Sequence, residues 1–144
     1  MRLAGVCLIA LLLWGDATHG SGTVVLRNLE KPGAVAVENH GATIRLRKRI
    51  VVEQMQEGTW QSTGAYVDLV EHCTTLGAPE NCVTLRAGAK LTLVPWNGVS
   101  CDGQCTRPCR SNSYLGPGKF RFVLETCDRK KRFGGEPFEL GAKQ

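Results

Sequence analysis

Seven cysteines carry most of the potential chemistry in this chain, and six of them fall after position 70: Cys73, Cys82, Cys101, Cys105, Cys109 and Cys127. Such a set either ligates a metal or forms cystines. Cys101-x3-Cys105-x3-Cys109 lacks the C-x2-C knuckles of common zinc sites, and Gly103 and Pro108 oppose a helix that would bring the three thiols to one face. The six are therefore read as a disulfide framework of up to three bridges. Cys73 with Cys82 is the favoured pair, because the two bracket a turn-rich loop whose short closure suits neighbouring strand ends. The other four allow three pairings that spacing does not rank.

Other candidate chemistry is sparse. Gly98-Val-Ser100-Cys101-Asp102-Gly103 superficially resembles a serine nucleophile elbow, but the G-x-S-x-G spacing fails and no helix follows. His40 and His72 sit beside turn residues, and no third or fourth metal ligand stands at useful spacing. Asp68 and Glu71 lie three residues apart, hence on opposite faces of a strand. No glycine-rich phosphate loop joins a strand to a helix. No catalytic, cofactor or metal site is expected, and the chain reads as a binding protein rather than an enzyme.

Positive charge is the stronger signal. Eighteen Lys and Arg face thirteen Asp and Glu, a net charge of +5. Arg45, Arg47 and Arg49 alternate along one segment, and Arg129, Lys130, Lys131 and Arg132 form a basic run further on. Together they offer a surface for an acidic polysaccharide, lipid headgroups or an acidic protein; no specific nucleic acid is expected. The plainer reading is a solubilising charged face. A different alternative is protease inhibition, with a rigid cystine-bound loop at 96–112 entering a protease cleft.

The compartment follows from the first twenty residues. Arg2 precedes the apolar run Leu3 to Trp14, and small and polar residues follow from Gly15 to Gly22. This is the pattern of a secretory signal peptide, too short to span a bilayer. Residues 1–20 are expected to be removed, leaving one domain over 21–144 that is secreted or periplasmic. No later segment is apolar and long enough to be a transmembrane anchor. Loss of Arg2 and Asp16 with the leader leaves the charge at +5.

The elements that position these residues read as β-strands. Leu115 to Cys127 is the organising stretch: after Gly116-Pro117-Gly118, Phe120, Phe122 and Leu124 alternate with Arg121, Val123 and Glu125. The aromatic face should point inward with Leu93 and one of Trp60 or Trp96 nearby. Thr23 to Leu29 and Ala34 to Glu38 are two further strands around a Lys-Pro-Gly turn. The longest alternation, Thr43 to Met55, puts Ile44, Leu46, Ile50 and Val52 on one parity and Arg45, Arg47 and Arg49 on the other, with Lys48 the single misfit. A strand gathers those arginines on one face, whereas a helix would spread them. Ala65 to Glu71, Val83 to Leu85, Lys90 to Val94 and Pro137 to Leu140 complete the set, with 128–135 as a basic tip. Seven to nine short strands with no amphipathic helix predict an antiparallel β-sandwich.

Several short motifs follow one another along the chain: Ala36-Val37-Glu38-Asn39 with Gly41, Gly58-Thr59-Trp60, Leu85-x2-Gly88, Leu93-x-Pro95-Trp96 and Pro117-Gly118-Lys119-Phe120-Arg121-Phe122. In these the chain resembles a family of small bacterial secreted immunoglobulin-like domains. The resemblance implies an all-β, immunoglobulin-like antiparallel β-sandwich, here disulfide-stabilised, that serves as a non-catalytic module. The cysteine-rich stretch departs from the simpler members of that family.

Overall fold

The structure, a computed structural model, describes residues 23–69, 82–93, 95–100 and 113–143. Residues 1–22, where a signal peptide is expected, Cys73, and the segment holding Cys101, Cys105 and Cys109 lie outside the described residues. Within them the fold is all-β and every strand pairing is antiparallel. The ten strands are β1 (Val24–Asn28), β2 (Val35–Asn39), β3 (Ile44–Arg47), β4 (Arg49–Gln56), β5 (Thr59–Asp68), β6 (Cys82–Leu85), β7 (Lys90–Thr92), β8 (Gly118–Glu125), β9 (Arg132–Gly134) and β10 (Phe138–Leu140). They form a sheet β1-β2-β7, a sheet β10-β8-β4-β5 with β9 also on β8, and the pair β3-β6.

The stretch that organised the sequence also organises the core. Phe120, Phe122 and Leu124 of β8 are buried with Ile50 and Val52 of β4, Val24 and Leu26 of β1, and Val35 and Val37 of β2. One hydrophobic core is thus shared between the three-stranded and five-stranded sheets. Of the two candidate tryptophans, Trp96 fills it: its ring meets Phe120 edge-on at 5.3 Å and Phe138 at 6.3 Å, and its indole Nε1 donates to the Val99 carbonyl at 3.0 Å. The partnered N–H lets so polar a group be buried. Trp60 instead lies on the outer face, beneath the Arg121 guanidinium at 4.5 Å.

Glycine 33 holds Trp96 at this place. Its φ of 81° lies in the left-handed region, its carbonyl accepts the Trp96 N–H at 2.9 Å, and a Cβ there would run into the Trp96 carbonyl oxygen.

The long strand expected over Thr43 to Met55 is two strands. Lys48, the one residue out of parity, is where the chain bends, its carbonyl accepting the Leu69 N–H at 2.7 Å. A lysine does not suit a strand's buried face, so the chain breaks there and β3 leaves the β4 sheet to pair with β6. The strand expected from Ala65 begins earlier, at Thr59. The pairing of β4 with β5 slips in register between Val51 and Glu53, where Gly64 adopts a φ of 78°.

The disulfide is a correction. Cys82 is bonded to Cys127, with Cα atoms 5.8 Å apart, so the favoured Cys73–Cys82 pair is excluded. Nearness along the chain is overridden by strand register. Cys82 opens β6 opposite Arg47 of β3, and the Cys127 N–H donates to the Arg45 carbonyl of the same strand at 3.0 Å. Shared contacts with β3 therefore bring two cysteines 45 residues apart into bridging range.

Candidate functional site

The two basic clusters meet, in part, at one groove. β3 lies against the end of β8 through the Leu46–Thr126 bridge, and the chain leaving β8 turns tightly before β9. The turn is built by its own polar groups. The Thr126 N–H donates to the Lys131 carbonyl at 3.0 Å, and the Lys131 N–H donates back to the Thr126 hydroxyl at 3.0 Å. That hydroxyl donates to Asp128 Oδ1 at 2.6 Å, and Oδ1 also accepts the Lys130 N–H at 3.0 Å. These bonds hold Arg129 at a φ of 61°, a conformation that side-chain-bearing residues enter only when their surroundings fix it.

Between this turn and β3 lies an open groove of about 620 Å³, lined by Thr43, Ile44, Arg45, Asp128, Lys130 and Lys131 beside Cys127. That size falls within the roughly 300–1,000 Å³ of ordinary ligand sites. Arg45 and the two lysines lie far apart in sequence and are brought together at Cys127, whose N–H bonds the Arg45 carbonyl and whose sulfur is bonded to Cys82 of β6, the partner of β3. The Thr126 hydroxyl and the Lys130 N–H hold the Asp128 carboxyl below the usual carboxylate range, so it is ionised at neutral pH.

The remaining basic candidates stand elsewhere. Arg47 pairs with Glu125 at 3.4 Å, and Arg49 stacks over the Tyr66 ring at 4.2 Å. Both line a second, smaller groove of about 200 Å³. Arg129 is exposed at the tip of the turn, outside the lining of either groove. Arg132 bonds Glu53 Oε1 at 2.8 Å and Glu125 at 3.2 Å. The arginines expected on a single face are thus divided between two grooves: Arg45 lines one, and Arg47 and Arg49, on either side of the bend at Lys48, line the other.

A charged ladder on the outer face of the β4-β8-β9 sheet was not singled out from sequence. Glu53 is 6% exposed, and both Arg121 Nε (2.9 Å) and Arg121 NH2 (2.7 Å) donate to its Oε2. Arg132 holds its other oxygen and reaches on to Glu125, which meets Arg47. Burial opposes the charged form of Glu53, and the hydrogen bonds from Arg121 and Arg132 outweigh it, so its carboxyl stays below the ordinary value. The available signal was cross-strand charge complementarity, since Glu53 stands directly opposite Arg121.

His40 contacts Glu38 at 3.1 Å on the surface, and Lys90 meets the same carboxylate at 3.0 Å. His72, Glu71 and residues 101–112 of the proposed inhibitory loop lie outside the described residues. No helix among the described residues is long and apolar enough to cross a membrane. No protein-family model, curated protein or solved structure matches the chain.

Proposed function

We propose that this protein is an exported, immunoglobulin-like β-sandwich that acts by binding, and that its partner is anionic. The observation that carries the reading is the convergence of Arg45 with Lys130 and Lys131 on one groove of about 620 Å³. A solubilising face needs only dispersed charge, whereas three cations from two separate segments around one concavity concentrate positive potential where a ligand fits. The turn carrying the lysines is braced by the Thr126 and Asp128 bonds and tied to β3, so its backbone needs little further ordering on binding. The Cys82–Cys127 disulfide, with the leader-like start of the sequence, supports work in an oxidising compartment.

The test is retention on an immobilised acidic polysaccharide. Wild type should elute late and at a salt concentration that falls sharply for Lys130→Glu/Lys131→Glu, while Lys119→Glu, an exposed lysine on β8 away from the groove, should elute within the difference expected from net charge alone. Equal shifts for the two substitution sites, scaled by charge, would reduce the groove to solvated surface.

A further inference from the structure

The groove contains one group that a plain polyanion receptor would not hold: the carboxylate of Asp128. Among the described residues, the Thr126 hydroxyl and the Lys130 N–H both donate to its Oδ1. Oδ2 takes part in neither, and a carboxylate oxygen has lone pairs for further donors. A carboxylate beside three cations leaves the groove net positive and adds a hydrogen-bond acceptor to it. It favours a ligand whose acidic group is flanked by hydroxyl donors. Thr43 adds a hydroxyl to the lining, and Ile44 adds a half-buried apolar surface.

Building on the anion-binding reading, we infer that the groove takes a uronic-acid-type sugar unit. The sugar carboxylate is met by Arg45, Lys130 and Lys131, and a neighbouring hydroxyl donates to Asp128 Oδ2. Arginine recognises carboxylates through paired donors, while the two lysines act as point charges that tolerate several sugar geometries. The ring's C–H face has Ile44 to lie against. The groove is open to solvent, so a longer chain has a way out of it. An anionic phospholipid surface fits less well, since the exposed tip Asp128 to Lys131 is charged at every position and offers no apolar side chain to enter a bilayer.

Calorimetric titration of the intact protein tests this with four probes: an unsulfated hexuronate tetrasaccharide, the same tetrasaccharide O-methylated at its free hydroxyls, inorganic tripolyphosphate, and vesicles containing about one-third anionic phospholipid. Wild type should bind the free tetrasaccharide about tenfold or more tighter than the methylated one, because a hydrogen bond to a charged acceptor is lost. Asp128→Asn keeps an oxygen for Thr126 and Lys130, and should bind the two sugars within about twofold while holding inorganic tripolyphosphate more tightly than wild type. Equal binding of the two sugars by wild type would overturn the hydroxyl contact, and so would tighter vesicle than tetrasaccharide binding. Tripolyphosphate binding without any sugar binding would overturn the sugar assignment and leave an anion site standing. Binding of no probe at all would overturn both.

Discussion

Replacing Phe122 by Ala removes the ring that joins the two sheets. Phe122 is 1% exposed, stacks on Phe138 at 5.0 Å between centroids, and receives the edge of Trp96 at 6.4 Å. Its backbone is fixed from both sides, opposite Val52 of β4 and accepting the Gly135 N–H at 2.8 Å, so the strand is poorly placed to slide in and close a cavity. Aromatic truncations in such cores cost about 3–5 kcal/mol. Two aromatic contacts, each contributing about 0.5–1.5 kcal/mol beyond area, place this one in the upper half of that range, near 4 kcal/mol. With a urea slope of about 2 kcal/mol/M, the denaturation midpoint should fall by roughly 2 M. That is a large part of a domain stability of about 5–15 kcal/mol. Lys119→Ala on the exposed side of the same strand is the control and should move it by no more than about 0.5 kcal/mol. A Phe122→Ala loss below about 1 kcal/mol would mean that β8 is not the centre of the core.

Three further outcomes follow from other parts of the fold. Glu53→Gln should cost about 1–3 kcal/mol at neutral pH by weakening the bonds from Arg121 and Arg132. Because the folded carboxyl value lies below the ordinary one, the Glu53 contribution is complete above the unfolded value and disappears as pH falls through the folded value; urea midpoints between about pH 5 and pH 3 should therefore drop more steeply for wild type than for the variant. Cys82→Ala/Cys127→Ala opens a closure of 45 residues, which the chain-entropy relation values at about 4 kcal/mol, and thermal melting of the double variant beside wild type measures it. Gly33→Ala should destabilise more than Gly58→Ala in the same melting assay. Both glycines have φ near +80°, but only Gly33 is backed by the Trp96 carbonyl, so equal losses would mean that backbone strain, not the tie to Trp96, sets the cost.

The strands were legible where one face is apolar and the other wet. Phe120, Phe122 and Leu124, like Ile50 and Val52, announce their burial by period-two alternation. Val123 shows where that rule stops: it shares the parity of Arg121 and Glu125 yet is 1% exposed, in a face crossed by the long ion-paired side chains of those residues and Arg132. Lys48 marked the break between β3 and β4 as a misfit, but which sheet β3 would join depends on partners 35 to 41 residues away in sequence, from Arg47↔Cys82 to Ile44↔Leu85, and alternation carries no partner information. The disulfide was hidden for the same reason. The charges of the groove were visible as Arg45 and the Lys130–Lys131 run, while their convergence rests on the Leu46–Thr126 bridge and the Cys127–Arg45 bond, long-range pairings that no local pattern encodes.

The most direct measurement is a residue-resolved amide titration of the isotopically labelled protein with a short acidic oligosaccharide at low salt. A single groove between β3 and the turn after β8 requires the shifts to concentrate at Thr43, Ile44, Arg45, Asp128, Lys130 and Lys131, and to saturate with one common dissociation constant. Shifts centred on Arg47, Arg49 and Tyr66, or spread over every exposed lysine and arginine without saturation, would contradict it.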